Sequence, residues 1–196
     1  GATVINNLDN TSKSLLIWRS MLQWLGGVGI IVIAIALFPI LKIGGMQLFQ
    51  SEFSSKEEKV LPRTKTIAAG IGAVYILLTI LCSFALFLTG LTLFDSIAHG
   101  MTIVATGGFS TKDMSIGYFD SVYTEIVVMV FMVIASIPFI YLFQTMKGKL
   151  SDLLKSSQVQ FFLFLIFIST IIVSFWLKRY YEVDFLQAFR ISAFAT

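Results

Sequence analysis

Four apolar runs divide the chain, at residues 20–41, 66–88, 122–146 and 159–177, with polar or basic stretches between them. Each has about the 17–25 residues that an α-helix needs to cross a ~30 Å hydrocarbon core. Apart from Glu125, near the start of the third, none contains an Asp, Glu, Lys or Arg. The pattern predicts four transmembrane helices. Residues 94–104 are also mostly apolar but, at about eleven residues, too short to span, and they read as a re-entrant helix. Ala105-Thr106-Gly107-Gly108-Phe109-Ser110-Thr111 follows. Backbone without helical hydrogen bonds at membrane depth is tolerated only where it is buried in protein or lines a water-filled path. Carbonyls freed in this way can replace the water shell of a permeating cation. The turn at 105–110 therefore points towards a pore.

Composition agrees on the class. Mean hydropathy is +0.88, with 57% hydrophobic and 13% charged residues, whereas soluble domains carry about 25% charged residues. The fold class is an all-α polytopic membrane protein whose surroundings are the lipid bilayer. The net charge of +3 is no nucleic-acid signal, because the basic residues gather in two loops. Residues 42–65 hold Lys42, Lys56, Lys59, Arg63 and Lys65, and residues 147–158 hold Lys147, Lys149 and Lys155; segment 89–121 has Lys112 alone. By the positive-inside rule the first two loops are cytoplasmic and the Gly-Gly turn lies on the outer side. Cys82, the single cysteine, lies in an apolar run and reads as a packing thiol.

Read in order, the chain is a repeat of helix, re-entrant helix with turn, and helix. Residues 66–146 make one complete copy, with pore helix 94–104 and turn 105–110. Residues 1–41 supply the end of an earlier copy and its second helix, and residues 159–196 the first helix and the start of the re-entrant helix of a third. Gly1-Ala2-Thr3 is then the tail of an earlier turn, equivalent to Gly107-Gly108-Phe109. The lack of a charged-then-apolar leader and the cut-off pattern of residues 184–196 predict an internal piece of a longer protein. Arg19, Gln23 and Trp24 are expected at the outer interface of the first span. Gly26, Gly27 and Gly29 allow close helix packing; a phosphate loop is the rival reading, but no strand precedes them. Pro138 predicts a kink in the third span.

Glycine at 107 and 108 suits a path lined by consecutive carbonyls, since some residues must adopt φ > 0 to point them one way. Thr106 adds a hydroxyl and Ala105 a further carbonyl. A tight surface turn is the plainer alternative for Thr-Gly-Gly taken alone. Asp95 suits the positive end of the re-entrant helix, whose negative end aims at the turn. Asp95 and Asp113 could concentrate cations at the mouth, although a cap or surface position explains each more simply. His99 is expected to pack or hydrogen-bond within the helix. Metal-ligand clusters and nucleophile–base pairs with supporting context are missing, so the chain is not expected to be an enzyme.

These residues resemble the Trk/Ktr/HKT superfamily of potassium transporters, which is built from four membrane–pore–membrane repeats of potassium-channel-like architecture. Trp18-Arg19-Ser20…Gln23-Trp24-Leu25-Gly26-Gly27-Val28-Gly29-Ile30-Ile31-Val32 is similar to the helix after the first filter of bacterial Trk-type membrane subunits. Gly44-Gly45-Met46-Gln47-Leu48-Phe49 and Pro62-Arg63-Thr64 resemble the family's first cytoplasmic loop. Phe94-Asp95…His99-Gly100…Ala105-Thr106-Gly107-Gly108-Phe109-Ser110-Thr111, then Ser115-Ile116-Gly117-Tyr118-Phe119, resembles its second pore helix and filter. Ala135-Ser136-Ile137-Pro138-Phe139 departs from a stretch that often holds Gly or Asn.

The resemblance implies that Gly107 is the filter glycine of repeat two and Gly1 that of repeat one. Ala105, Thr106, Gly107, Gly108, Phe109, Gly1, Ala2 and Thr3 would be the ion-binding residues, with potassium held by the carbonyls of Thr106, Gly107, Gly108 and Gly1. It also implies potassium uptake across a bacterial inner membrane, a homodimer and a cytoplasmic nucleotide-binding regulatory subunit. Potassium is expected as substrate, with no cofactor in this chain and no nucleic-acid partner. A sodium or non-selective monovalent cation transporter, and a structural membrane subunit without transport, are the alternatives.

Overall fold

The computed structural model describes residues 5, 7–41, 60–181 and 184–196, the side chains of residues 28, 30–41 and 60–66 left aside. Every regular element among the described residues is helical. They are α1 (Lys13–Leu41), α2 (Val60–Leu88), α3 (Leu93–Val104), α4 (Val122–Ser136), α5 (Phe139–Met146), α6 (Leu150–Lys155), α7 (Ser157–Tyr181) and α8 (Phe185–Ala195), with 3-10 turns at Leu8–Asn10 and Ser115–Phe119. The chain forms two compact units, Gly1–Phe143 and Gln144–Thr196.

Within α2, Ile67–Leu88 is long and apolar enough to cross a membrane, and so is α7. Their two faces do different things. Ile71, Val74, Tyr75, Cys82 and Leu86 of α2 are buried, whereas Ile76, Ile80, Phe84 and Phe87 stay exposed. An apolar helix that leaves such a stripe uncovered is suited to lipid rather than water. Helix α2 begins at Val60, so residues 60–65, read from the sequence as loop, are helical. Pro62 falls in the first turn, where the backbone N–H has no helical partner to lose.

The third apolar run is not one helix. Helices α4 and α5 meet at a bend of 96° and are long and apolar enough to cross a membrane only as a pair. Ile137, φ −73° and ψ 136°, holds the extended conformation that a following proline enforces, and Pro138 has no N–H to continue the ladder.

Helix α3 is the centre of the first unit. Its 12 residues extend about 18 Å at 1.5 Å each, well short of a bilayer. Thr92 caps it, its hydroxyl accepting the Asp95 N–H at 3.1 Å. Eight of its residues, among them Asp95, Ser96, His99 and Thr102, are buried against neighbouring helices. Close approach to α2 depends on Gly100, where a Cβ would overlap Ser83 Oγ. Helices α1 and α2 are joined through Trp24, whose indole N–H donates to Thr79 Oγ1 at 3.0 Å, and Tyr75, whose hydroxyl donates to the Trp24 carbonyl at 2.8 Å.

In the second unit, α7 and α8 pack through small residues, most of them polar. Thr170, Ser174, Ala188 and Ser192 are buried, and Ser174 and Ser192 donate to carbonyls one turn back at 2.6 and 2.7 Å. Hydroxyls satisfied within their own helix let two backbones approach without an orphaned polar group. Phe161, Phe164, Phe167, Phe175 and Trp176 remain exposed on α7.

Gly100→Leu in the full-length protein is expected to lower stability by about 1–3 kcal/mol, the ordinary cost of overpacking a tight contact. Thermal unfolding in detergent should show the loss, with Ser83→Gly recovering part of it.

Candidate functional site

The site is built from the backbone that follows α3. Thr106 N–H reaches Ile103 O and Gly107 N–H reaches Thr102 O, each at 2.9 Å, which closes the helix before the chain turns back. Thr106 (φ 51°) and Gly108 (φ 77°) are left-handed, and Gly107 between them is not. In a regular strand successive residues face opposite sides; left-handed residues at 106 and 108 break that alternation. For a β-branched threonine this conformation costs on the order of 1–3 kcal/mol. The Thr106 hydroxyl donates to the Ala105 carbonyl at 2.8 Å. Among the described residues, the carbonyls of Thr106, Gly107 and Gly108 accept no hydrogen bond.

The positive φ expected of some residues in the turn is met at Thr106 and Gly108, and of the two glycines Gly108 alone is left-handed. Glycine at 107 answers a steric demand instead: a Cβ there would overlap the amide of Gln23. The remaining left-handed position is occupied by Thr106.

One face of α3 ties down the returning strand. Asp95, His99 and Thr102, spaced four and three residues apart, lie on one side of a helix, and their partners descend in the opposite order. Thr111 Oγ1 donates to Asp95 Oδ1 at 2.6 Å, while Thr92 Oγ1 donates to Asp95 Oδ2 at 2.7 Å. His99 Nδ1 lies 2.8 Å from the Asp95 carbonyl and Nε2 lies 2.9 Å from Ser110 Oγ. A carbonyl can only accept, so Nδ1 carries the proton and Nε2 accepts from Ser110. Ser110 Oγ accepts in turn from the Lys112 N–H at 3.1 Å. Thr102 Oγ1 donates to the Phe109 carbonyl at 2.9 Å. His99 thus hydrogen-bonds within a packed network, and Asp95 is a buried anchor rather than an exposed charge.

Helix α1 backs the other side. Arg19 lies over the Phe109 ring, 4.6 Å from its centroid. Gln23 Oε1 accepts the Phe109 N–H at 3.4 Å, and Gly27 leaves room for Ala105, whose Cβ would stand 3.2 Å from a Cβ at 27. Gln23 thus bears on the turn and Trp24 on Thr79, contacts that the outer-interface expectation did not include. Of the three glycines, Gly27 makes a close approach, whereas Gly26 and Gly29 face open space. A cavity of ≈ 300 Å³ opens beside the start of the turn, lined by Gly27, Tyr75, Ala105, Thr106 and Phe139 among others. Asp113 accepts the Leu8 N–H at 2.8 Å, and Lys112 pairs with Asp9 at 3.6 Å. Gly1, Ala2 and Thr3 lie outside the described residues.

Comparison with known proteins decides the family. The family model described as TrkH, cation transport protein, matches residues 1–182. The chain belongs to the TrkH family. It is similar to the Trk system potassium uptake protein TrkH of Vibrio parahaemolyticus, 46% identical over 141 residues, covering 71% of this chain and 29% of that protein. The Escherichia coli protein of the same name is 42% identical over 151 residues, covering 76% and 31%. The crystal structure of the potassium transporter TrkH from Vibrio parahaemolyticus superposes with a TM-score of 0.82 at 33% identity, over 99% of this chain and 39% of that one. The chain thus spans about a third of the length of these relatives.

In this TrkH-family chain the polar residues behind the turn were partly legible beforehand. Asp95, His99 and Thr102 at helical spacing within a short apolar helix mark a polar face, which was the available signal. Gln23 and Thr111 carried none, since each acts on residues distant in sequence. Thr111→Val would leave Asp95 Oδ1 buried and short of a donor, a loss of about 1–3 kcal/mol. Thermal unfolding should fall accordingly, and Thr111→Ser, which keeps the hydroxyl, should stay near the parent.

Proposed function

We propose that residues 105–109 form one wall of a potassium-selective filter, and that the protein containing this chain takes up potassium across the bacterial inner membrane. The observation that carries this reading is the run of carbonyls at Thr106, Gly107 and Gly108 that accept no hydrogen bond among the described residues. Thr106 and Gly108 are exposed and Gly107 is half-buried, so these carbonyls are open to a ligand, and backbone at membrane depth needs something to replace its missing hydrogen bonds. A partly dehydrated cation does so, and the negative end of α3 favours it further. The names of the relatives, potassium uptake proteins, select potassium as the cargo.

One such wall does not surround an ion. The order of α2 then α3 recurs as α7 then α8, a long apolar helix followed by a short one with a side-chain N-cap, which supports a filter assembled from successive repeats. Gly1-Ala2-Thr3 is assigned to the wall before this one. No chemical step is needed: an inward cation gains about 2.3 kcal/mol per 100 mV of membrane potential. Potassium is the substrate, with no cofactor assigned to this chain. The basic segments 42–65 and 147–158 are assigned to the cytoplasm by the positive-inside rule, where a nucleotide-binding regulatory subunit would meet them, and the transporter is assigned as a homodimer.

The full-length protein is expected to restore growth of a potassium-uptake-deficient bacterium at low potassium. Gly107→Ser should abolish that rescue or admit sodium. Rescue indifferent to Gly107→Ser would remove the filter assignment; failure of well-expressed parent protein would remove the transport reading.

A further inference from the structure

We propose that Gln23 on α1 is a positioning residue that sets cation selectivity by fixing where Gly107 and Phe109 stand. The proposal rests on the reading of residues 105–109 as a filter. The ties from Asp95, His99 and Thr102 join the strand to the helix that immediately precedes it, and they grip residues 109–111 rather than the carbonyl run itself. Gln23 acts from outside that segment, 84 positions before Gly107 in the chain. Its amide does two opposed things. It occupies the volume that a Cβ at 107 would take, so the strand cannot move closer to α1. Its Oε1 accepts the Phe109 N–H at 3.4 Å, so the strand is held from moving away.

Gln23 is also the middle member of a stripe. Arg19, Gln23 and Gly27 recur at four-residue intervals along one face of a helix, and they meet Phe109, then Gly107 with Phe109, then Ala105. The carbonyl run at 106–108 therefore stands against a helix of the preceding repeat. Selectivity among alkali cations depends on where the carbonyl dipoles sit and how freely they move. A residue that restrains the centre of the run from both sides alters that position directly. A residue important for folding alone changes how much protein forms, not which ion it prefers.

The test uses full-length protein in proteoliposomes, with potassium and sodium uptake measured in parallel for Gln23→Ala, Gln23→Met, Gly107→Ala and the Gln23→Ala/Gly107→Ala pair. Gln23→Ala and Gln23→Met are expected to reduce the potassium-to-sodium preference about fivefold, the factor set by one ordinary hydrogen bond. Gly107→Ala alone should lose preference as well, and the pair should recover part of it, because the shortened side chain makes room for the new methyl. Folded Gln23 variants with the parent preference, together with a pair no better than Gly107→Ala, would overturn the proposal. If Gln23→Ala does not fold, Gln23→Met, which keeps the bulk and loses the acceptor, decides by the same criterion. If Gly107→Ala leaves the preference unchanged, the filter reading itself fails, whatever Gln23 does.

Discussion

A backbone within a bilayer has no water to complete its hydrogen bonds, and the first unit is organised around that constraint. Long helices satisfy it internally. Helix α3 cannot, since it ends part-way and the chain must return through residues 105–111. The protein answers with fixed partners for some groups and leaves others open. Thr106 and Gly107 donate into the last turn of α3, Phe109 donates to Gln23, and the Phe109 carbonyl accepts from Thr102. The carbonyls of Thr106, Gly107 and Gly108 accept no hydrogen bond among the described residues.

Polar side chains stand in for solvent around this turn. Asp95 is buried, yet both carboxylate oxygens accept threonine hydroxyls, from Thr92 and Thr111. His99 bridges two elements with one nitrogen donating and the other accepting. An unpaired polar group in such surroundings would cost free energy, and a paired one costs little while fixing geometry. The polar network can therefore hold residues 109–111, just beyond the left-handed Thr106 and Gly108, in one arrangement. Around it the requirement reverses: Phe84 and Phe87 on α2 are left exposed, to a medium in which exposed apolar surface carries no penalty.

Close packing completes the arrangement through small residues. Gly27 admits Tyr75 and Ala105, Gly100 admits Ser83, and Gly107 admits Gln23. Bilayer lipid is as apolar as leucine, so helices in it associate through fit and hydrogen bonds rather than through hydrophobic burial. A glycine at each crossing supplies that fit. The second unit uses serine, threonine and alanine to the same end between α7 and α8.

The helical class, the membrane setting, the short helix before Thr106 and the break in helical backbone at the Gly-Gly turn were all determined by the sequence. Each depends on local pattern: run length against bilayer thickness, and loss of helical partners at a glycine pair. Pro138 likewise announced a break, because proline removes a donor wherever it stands, although the 96° bend needed the structure. The reasons for particular residues were decided only in three dimensions. Gly107 looked like a conformational glycine and is a steric one, because Gln23, far away in the chain, fills the space beside it. Gln23 itself gave no sign of a link to the turn. Nothing in the local pattern of either position records the other. Hydrophobic periodicity reports which medium a residue faces, whereas the pairing of two distant residues exists only once the helices that carry them have packed.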